Sequence, residues 1–143
     1  MRVYISGPMS GLPECNRPAF EALRLRLRAE GHFVICPAEL DVLPKEQGAG
    51  APASENLWRG FLIRDIAMLL TCQLDAIVML PGWEKSRGSR LEMLAAMMVG
   101  LEVLDEALEP IGGEGVRYLY VGDIMAGNRI AQAERRSERR RSR

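Results

Sequence analysis

Two glycine- and serine-rich segments have the residue types that could bind a small ligand. SGPMSG at residues 6–11 and PGWEKSRGS at residues 81–89 each follow a short apolar run. Glycine lets the backbone approach a ligand closely. The second segment leads into a predicted helix, whose first N–H groups favour an anion such as phosphate. Neither segment has the glycine spacing of a dinucleotide fingerprint or a P-loop, so the two segments predict a binding edge but not its ligand.

Glu92 is a carboxylate next to this edge and has two interpretations. If Ser89 is the N-cap, then SRLE at residues 89–92 is a capping box, in which Glu92 reaches back to the backbone N–H of Ser89. Alternatively, a carboxylate in the first turn of this helix lies at the ligand-binding edge and takes part in chemistry. The two roles require the same place in the fold, so the residue pattern leaves both open.

Asp65 is a second carboxylate, and it lies on the apolar stripe of a predicted helix. Phe61, Leu62 and Leu69 are three or four residues away from it, so its side chain faces the core. A buried carboxylate is costly unless it is paired or used. Asp65 is therefore either bonded to a loop backbone or to an arginine such as Arg64, or it is a functional acid. Apolar surroundings favour the protonated carboxyl group, which suits a proton donor.

Two aromatic residues lie close to the predicted edge. Tyr4 is in the first predicted strand and either points to the binding crevice or is a core residue. Trp83 directly follows a predicted strand, so it either stacks on a base or covers the loop.

Strands and helices that alternate along the chain must position these residues. The predicted strands span residues 2–6, 32–36, 75–80 and 100–104, and the predicted helices span 17–30, 55–72 and 89–99. This order indicates a parallel sheet with helices on both faces. In such sheets ligands bind beyond the carboxyl ends of the strands, near the point where the strand order reverses. Asn16 is the predicted N-cap of the first helix and Gly31 its stop.

The segment 37–54 interrupts this alternation. It contains three prolines and the stretch GAGAPAS. This composition predicts an irregular, mobile loop that could close over a ligand.

Composition limits the class of protein. A chain of 143 residues suits one domain. The domain is predicted over 1–110 and is followed by an extension, 111–132, and a disordered arginine-rich tail, 133–143.

The formal net charge is zero, which disfavours nucleic acid and membrane partners. Three cysteines without a CxxC pair suggest neither disulfides nor a zinc site and fit the reducing cytoplasm. No signal peptide and no membrane-spanning apolar run is apparent.

Three segments together resemble the nucleoside 2-deoxyribosyltransferase superfamily, which includes the 2′-deoxynucleoside 5′-phosphate N-hydrolases. They are YISGPMSG, DIAMLLTCQLDAIVMLPGW and SRGSRLE, and the resemblance covers residues 2–105. It is strongest to a branch common in phages and bacteria. It implies a flavodoxin-like, three-layer α/β sandwich with a parallel sheet, which cleaves or transfers the N-glycosidic bond between deoxyribose and a base. It also implies a homo-oligomer that needs no metal or cofactor.

The resemblance implies roles for four residues. Glu92 matches the nucleophile that ends the pattern Asp-or-Ser, x, Gly, x, x, x, Glu, which begins here at Ser86. Tyr4 matches the tyrosine that positions this glutamate, and Asp65 matches the acidic residue near the base. At the position of Ser86, the transferases carry an Asp that holds the free sugar, whereas the nucleotide hydrolases carry a Ser that contacts the 5′-phosphate. Ser86 therefore favours a nucleoside monophosphate.

The remaining expected contacts form two walls of the crevice. On one side Ser86, Gly88 and Ser89 bind the 5′ end of the substrate together with N–H groups of the helix. The other wall is expected to consist of Gly7, Met9 and Asn16. The nucleotide hydrolases have a small polar residue and a basic residue in the first loop, where this chain has Pro8 and Met9.

The leading hypothesis is an N-glycosidase or deoxyribosyltransferase-like enzyme that acts on a deoxynucleoside 5′-monophosphate or a deoxynucleoside. A second hypothesis is a nucleotide-binding module without turnover, which uses the same crevice but does not need Glu92 as a nucleophile. A third is a nucleic-acid-associated protein that works through the tail at 133–143, although a solvated tail is the simpler interpretation of this segment.

Overall fold

The structure is a computed structural model, and it describes residues 1–40 and 55–112. The first compact unit comprises Met1–Ile111. The second, Gly112–Arg143, lies outside the described residues apart from Gly112. Three predicted segments therefore lie outside the described residues: the part of the loop at 41–54, the extension after Gly112 and the arginine-rich tail.

A single parallel sheet organises the first unit. Its strands are β1 (Arg2–Ser6), β2 (Phe33–Ile35), β3 (Ala76–Met79) and β4 (Glu102–Asp105). Their spatial order is β2-β1-β3-β4, and every neighbouring pair is parallel. The helices are α1 (Arg17–Ala29), the short α2 (Pro37–Leu40), α3 (Glu55–Thr71) and α4 (Arg87–Met98). This arrangement confirms the predicted α/β class with a flavodoxin-like strand order.

Alternation along the strands divides the core between the two faces of the sheet. One face packs against α1, where the core consists of Val3, Ile5, Phe20, Leu23, Leu27, Val34, Ala76, Val78 and Leu104 among others. Tyr4 and Ser6 alternate with Val3 and Ile5 and lie on the opposite face, where Ser6 contacts α4. Both faces of β1 are therefore buried, and only the second carries polar side chains.

Local signals explain where α1 begins and ends. Gly31 has a φ of +86°, and the N–H groups of Gly31 and His32 bond to the carbonyls of Arg28 and Leu27. This pair of bonds is the Schellman ending that a glycine permits. The predicted stop at Gly31 is therefore confirmed. Asn16 is the N-cap as predicted, but its side chain makes no capping bond and instead donates to the carbonyl of Pro8 at 2.9 Å.

Most predicted boundaries differ from the observed ones by at most two residues, and two differences have a clear physical reason. Pro37–Leu40 is the short helix α2 and not irregular loop, because proline suits a first helical position and Glu39 forms ion pairs with Arg24 at 2.7 Å and Arg28 at 2.8 Å. Helix α4 begins two residues earlier than predicted, at Arg87, because Ser86 and not Ser89 is its N-cap.

Candidate functional site

The strand order reverses beside β1, since β2 lies on one side of it and β3 on the other. Ligands of open parallel sheets bind at the carboxyl ends of the strands at such a point. The chain is tightly constrained there, because the backbone N–H of Leu80 bonds to the carbonyl of Ser6 at 2.8 Å. A Cβ atom on Gly7 would lie 2.7 Å from the Cβ of Leu80. The close approach of the two chain segments therefore requires Gly7, whereas the sequence suggested a glycine here for approach to a ligand.

A cleft of about 480 Å³ opens at this edge. It is lined by the loop after β1, the start of α3, the loop after β3 and the first turn of α4. Three of the predicted binding residues, Met9, Ser86 and Gly88, are among its lining residues. Its volume falls within the range of small-molecule sites.

The cleft carries positive charge. Lys85 and Arg87 line it, and no carboxylate does so among the described residues. The Oγ atom of Ser86 accepts the backbone N–H of Ser89 at 3.3 Å, so this hydroxyl caps α4. The other N–H groups of the first turn have no partner within the helix and form the positive end of its dipole. The cleft is therefore suited to an anionic group.

Glu92 is the sixth residue of α4 and does not cap it, so the capping-box interpretation is wrong. Its side chain is only 8% exposed. The hydroxyl of Ser6 donates a hydrogen bond of 2.5 Å to Oε2 of Glu92. Glu92 is therefore bonded to the end of β1, and it lies four residues after Gly88, which lines the cleft.

Ser6 is a residue that the sequence interpretation missed. It lies in the first glycine- and serine-rich segment, two residues after Tyr4 on the same strand, so alternation places both side chains on one face of the sheet. Both side chains are fully buried. The combination of the predicted strand bounds with this alternation was the available signal.

Asp65 is buried in α3, as predicted from the apolar stripe. The Nε and Nη2 atoms of Arg64 lie 2.7 Å and 2.6 Å from its Oδ1. The predicted pairing with Arg64 is therefore confirmed. A guanidinium at this distance compensates for the burial of the carboxylate.

The two tryptophans exchange the roles that the sequence suggested. Trp83 is buried and is not among the residues that line the cleft, so it covers the loop and is not placed to stack on a base there. The helical spacing predicts Trp58 on the same buried stripe of α3 as Phe61 and Leu62, but it lines the cleft. The guanidinium of Arg87 lies 3.5 Å from the centre of the Trp58 ring, within the range of a cation–π contact.

Two further predicted residues lie outside the cleft lining. Asn16 bonds to Pro8 and so connects the loop after β1 to the start of α1. The side chain of Ser89 is buried, and its hydroxyl has no hydrogen-bond partner among the described residues. Asn16 therefore supports one wall of the cleft from behind, and Ser89 supports the other.

Within residues 1–40 and 55–112, membrane-spanning helices and metal-binding clusters are both absent. No helix there is long and apolar enough to cross a membrane. No group of three or more histidine, cysteine or acidic side chains there could hold a metal ion.

The fold and the cleft together define an α/β protein with a ligand crevice at the switch point of a parallel sheet. Residues 1–105 match the family described as "Domain of unknown function (DUF4406)", and the chain belongs to this family. Among curated proteins, none is significantly similar in sequence.

One similar solved structure is the 2-deoxyribosyltransferase of the psychrotolerant bacterium Bacillus psychrosaccharolyticus. The TM-score is 0.52 and the identity 18%, over 73% of this chain and 71% of that one. This similarity confirms the fold to which the sequence resemblance pointed.

Proposed function

We propose that this protein cleaves or transfers the N-glycosidic bond of a deoxynucleoside 5′-monophosphate or a deoxynucleoside. The observation that carries the proposal is Glu92, a buried carboxylate that accepts a hydrogen bond from Ser6 and lies one helical turn after Gly88 of the cationic cleft. Buried carboxylates are costly and are retained where they are paired or used. The fold shared with a 2-deoxyribosyltransferase and the spacing from Ser86 to Glu92 support the same reaction.

The proposed reaction has two steps. First, a carboxylate oxygen of Glu92 forms a bond to C1′ while the C1′–N bond breaks, and the electron pair of that bond leaves with the base. In the second step, water attacks C1′, the bond to Glu92 breaks to restore the carboxylate, and the proton of the water is taken up by the base. If a second base attacks in place of water, the result is transfer. Both steps pass through transition states that resemble an oxocarbenium ion.

Other residues have supporting roles in this proposal. Tyr4 orients Glu92 from the same strand as Ser6. Asp65, which is paired with Arg64, holds or protonates the departing base. Gly7 and Met9 form one wall of the crevice, which Asn16 supports.

The charge of the cleft favours the phosphorylated substrate. Lys85 and Arg87 line the cleft beside Ser86, and the N-terminus of α4 adds its dipole. We propose that Ser86 and Gly88 bind the 5′-phosphate at this helix end and that Ser89, through its bond to Ser86, supports them from the helix interior. Since only the monophosphate can add charge-assisted bonds to Lys85 and Arg87, it is expected to react faster than the deoxynucleoside.

Base release tests the proposal. The wild-type protein is incubated with a panel of deoxynucleoside monophosphates and deoxynucleosides, and the free base is followed by chromatography. We expect release from at least one monophosphate and a loss on the order of 1,000-fold or more in Glu92→Gln, because an amide is a poor nucleophile. Glu84→Gln, which changes an exposed carboxylate close to the cleft, is the matched control and should keep wild-type activity.

A nucleotide-binding module without turnover is the second candidate. It is favoured by the position of Glu92, which is not itself among the residues that line the cleft. Tight binding of a monophosphate without release of base, unchanged in Glu92→Gln, would overturn the enzymatic proposal and support this one.

A further inference from the structure

We infer that Ser6 positions the Glu92 carboxylate by donating a hydrogen bond to one of its oxygens. The inference deepens the proposed function and rests on it. The inference is based on the 2.5 Å hydrogen bond from Oγ of Ser6 to Oε2 of Glu92. This bond connects the end of β1 to the second turn of α4.

The donor is held more rigidly than the acceptor. Ser6 is fully buried, its backbone lies in β1, and its carbonyl accepts the N–H of Leu80 at 2.8 Å. A glutamate side chain has several rotatable bonds and loses that freedom only if something holds it. The hydrogen bond from a fixed strand therefore orients the carboxylate before the substrate arrives, and such preorganisation accelerates reactions.

The bond acts in both steps of the proposed reaction. In the first step, the Glu92 carboxylate forms the bond to C1′ as the base leaves with the electron pair of the C1′–N bond. When water attacks C1′, the electron pair of the bond between Glu92 and C1′ returns to the carboxylate, and Ser6 stabilises the negative charge as it forms. Ser6 is thus a positioning residue in both steps.

Ser6→Ala removes the donor and changes little else in volume. We expect kcat for base release to fall about 10- to 100-fold, as for the loss of a hydrogen bond to a charged group, and KM to stay within about threefold. Ser6→Cys keeps a weak donor and should fall between Ser6→Ala and the wild type. Ile5→Val is the control, since Ile5 is the neighbouring buried residue of β1 on the opposite face, and it should keep the wild-type kcat. Thermal unfolding of each variant establishes that it is folded.

A measurement without turnover separates failure of this inference from failure of the proposed function. In protein labelled with carbon-13 at the glutamate carboxyl groups, the Glu92 resonance is assigned by its loss in Glu92→Gln. We expect it to move in Ser6→Ala and to stay in place in Ile5→Val. If the wild type releases no base, the proposed reaction fails, and the role of Ser6 in it fails as well, whereas a moved resonance would still establish the contact. With an active wild type, an unmoved resonance or an unchanged kcat in folded Ser6→Ala would overturn the inference.

Discussion

Buried polar residues locate the candidate site more sharply than the surface does. Among the described residues, the buried polar and charged side chains are Ser6, Asp65, Ser89 and Glu92. All of them belong to β1, α3 or α4, and none belongs to α1 or its packing face. Burial of a polar group is unfavourable unless it is compensated. The concentration of these residues in β1, α3 and α4 therefore indicates that these elements have a functional role as well as a packing role.

Cys36 illustrates the opposite case, a reactive residue type that the fold makes inert. Burial raises the pKa of its thiol, and backbone N–H groups of Ala38 and Glu39 offset this only in part. We expect Cys36 to react with a thiol-specific reagent at pH 8 at least about tenfold more slowly than Cys15 or Cys72, which are half-buried. Rates for three variants that each retain one cysteine would measure this, and equal rates would contradict it.

The raised pKa of Cys36 also predicts how the stability of the protein changes with pH. The pKa of the Cys36 thiol is higher in the folded than in the unfolded chain. The contribution of this thiol to the free energy of unfolding is therefore fully present below the unfolded pKa. It is lost as the pH rises through the raised folded value. The free energy of unfolding should therefore fall less steeply above pH 9 in Cys36→Ala than in the wild type.

At the scale of elements, the strands and helices were predictable because their signals are local. The alternation LRLRLR within α1 mimics a strand, yet Leu23 and Leu27 are buried while Leu25 is exposed, as helical spacing requires. The start of α4 was less predictable, because Ser86 and Ser89 are both good caps and the short turn before Ser86 decides between them.

The contact between Ser6 and Glu92 could not be predicted from local patterns, because it joins residues 86 positions apart. Residue types and spacing placed Glu92 and Asp65 in the correct elements. They did not determine which neighbours these side chains would meet. Pairing between distant segments depends on strand order and helix packing, which only the folded chain specifies.

The turn before α1 carries strain that can be tested. Glu14, Cys15 and Asn16 have consecutive φ values of +50°, +52° and +57°, in the left-handed region that favours glycine. We expect Cys15→Gly to raise the free energy of unfolding by about 1 kcal/mol, because glycine adopts this conformation without a steric cost. Ala22→Gly, at an exposed position inside α1, should lower it by about 1 kcal/mol. Urea unfolding compares both with the wild type, and a destabilised Cys15→Gly would argue against the strain.

At the scale of the whole molecule, α3 has apolar residues on its outward side as well as its inward side. Ile63 is 71% and Leu70 53% exposed, and their spacing of seven places them on one face. We expect this face to pair two copies of the chain, as the predicted homo-oligomer requires. Ile63→Asp combined with Leu70→Asp should yield monomers in analytical ultracentrifugation.

Leu25→Asp is the control for that experiment. Leu25 is 54% exposed, similar to Leu70, but it lies on α1 at the other face of the sheet. Its substitution should leave the oligomer intact. A monomeric wild type, or an oligomer that survives both α3 substitutions, would contradict the assignment of the interface.

The contact between Arg87 and Trp58 gives the cleft an optical reporter of its own. The chain has two tryptophans, and Trp83 is buried away from the cleft lining. An anion that draws the Arg87 guanidinium off the indole of Trp58 changes the surroundings of one fluorophore and leaves the other as an internal reference. Binding of an anion in the cleft can therefore be followed by the intrinsic fluorescence of the unlabelled protein, and this measurement requires no turnover.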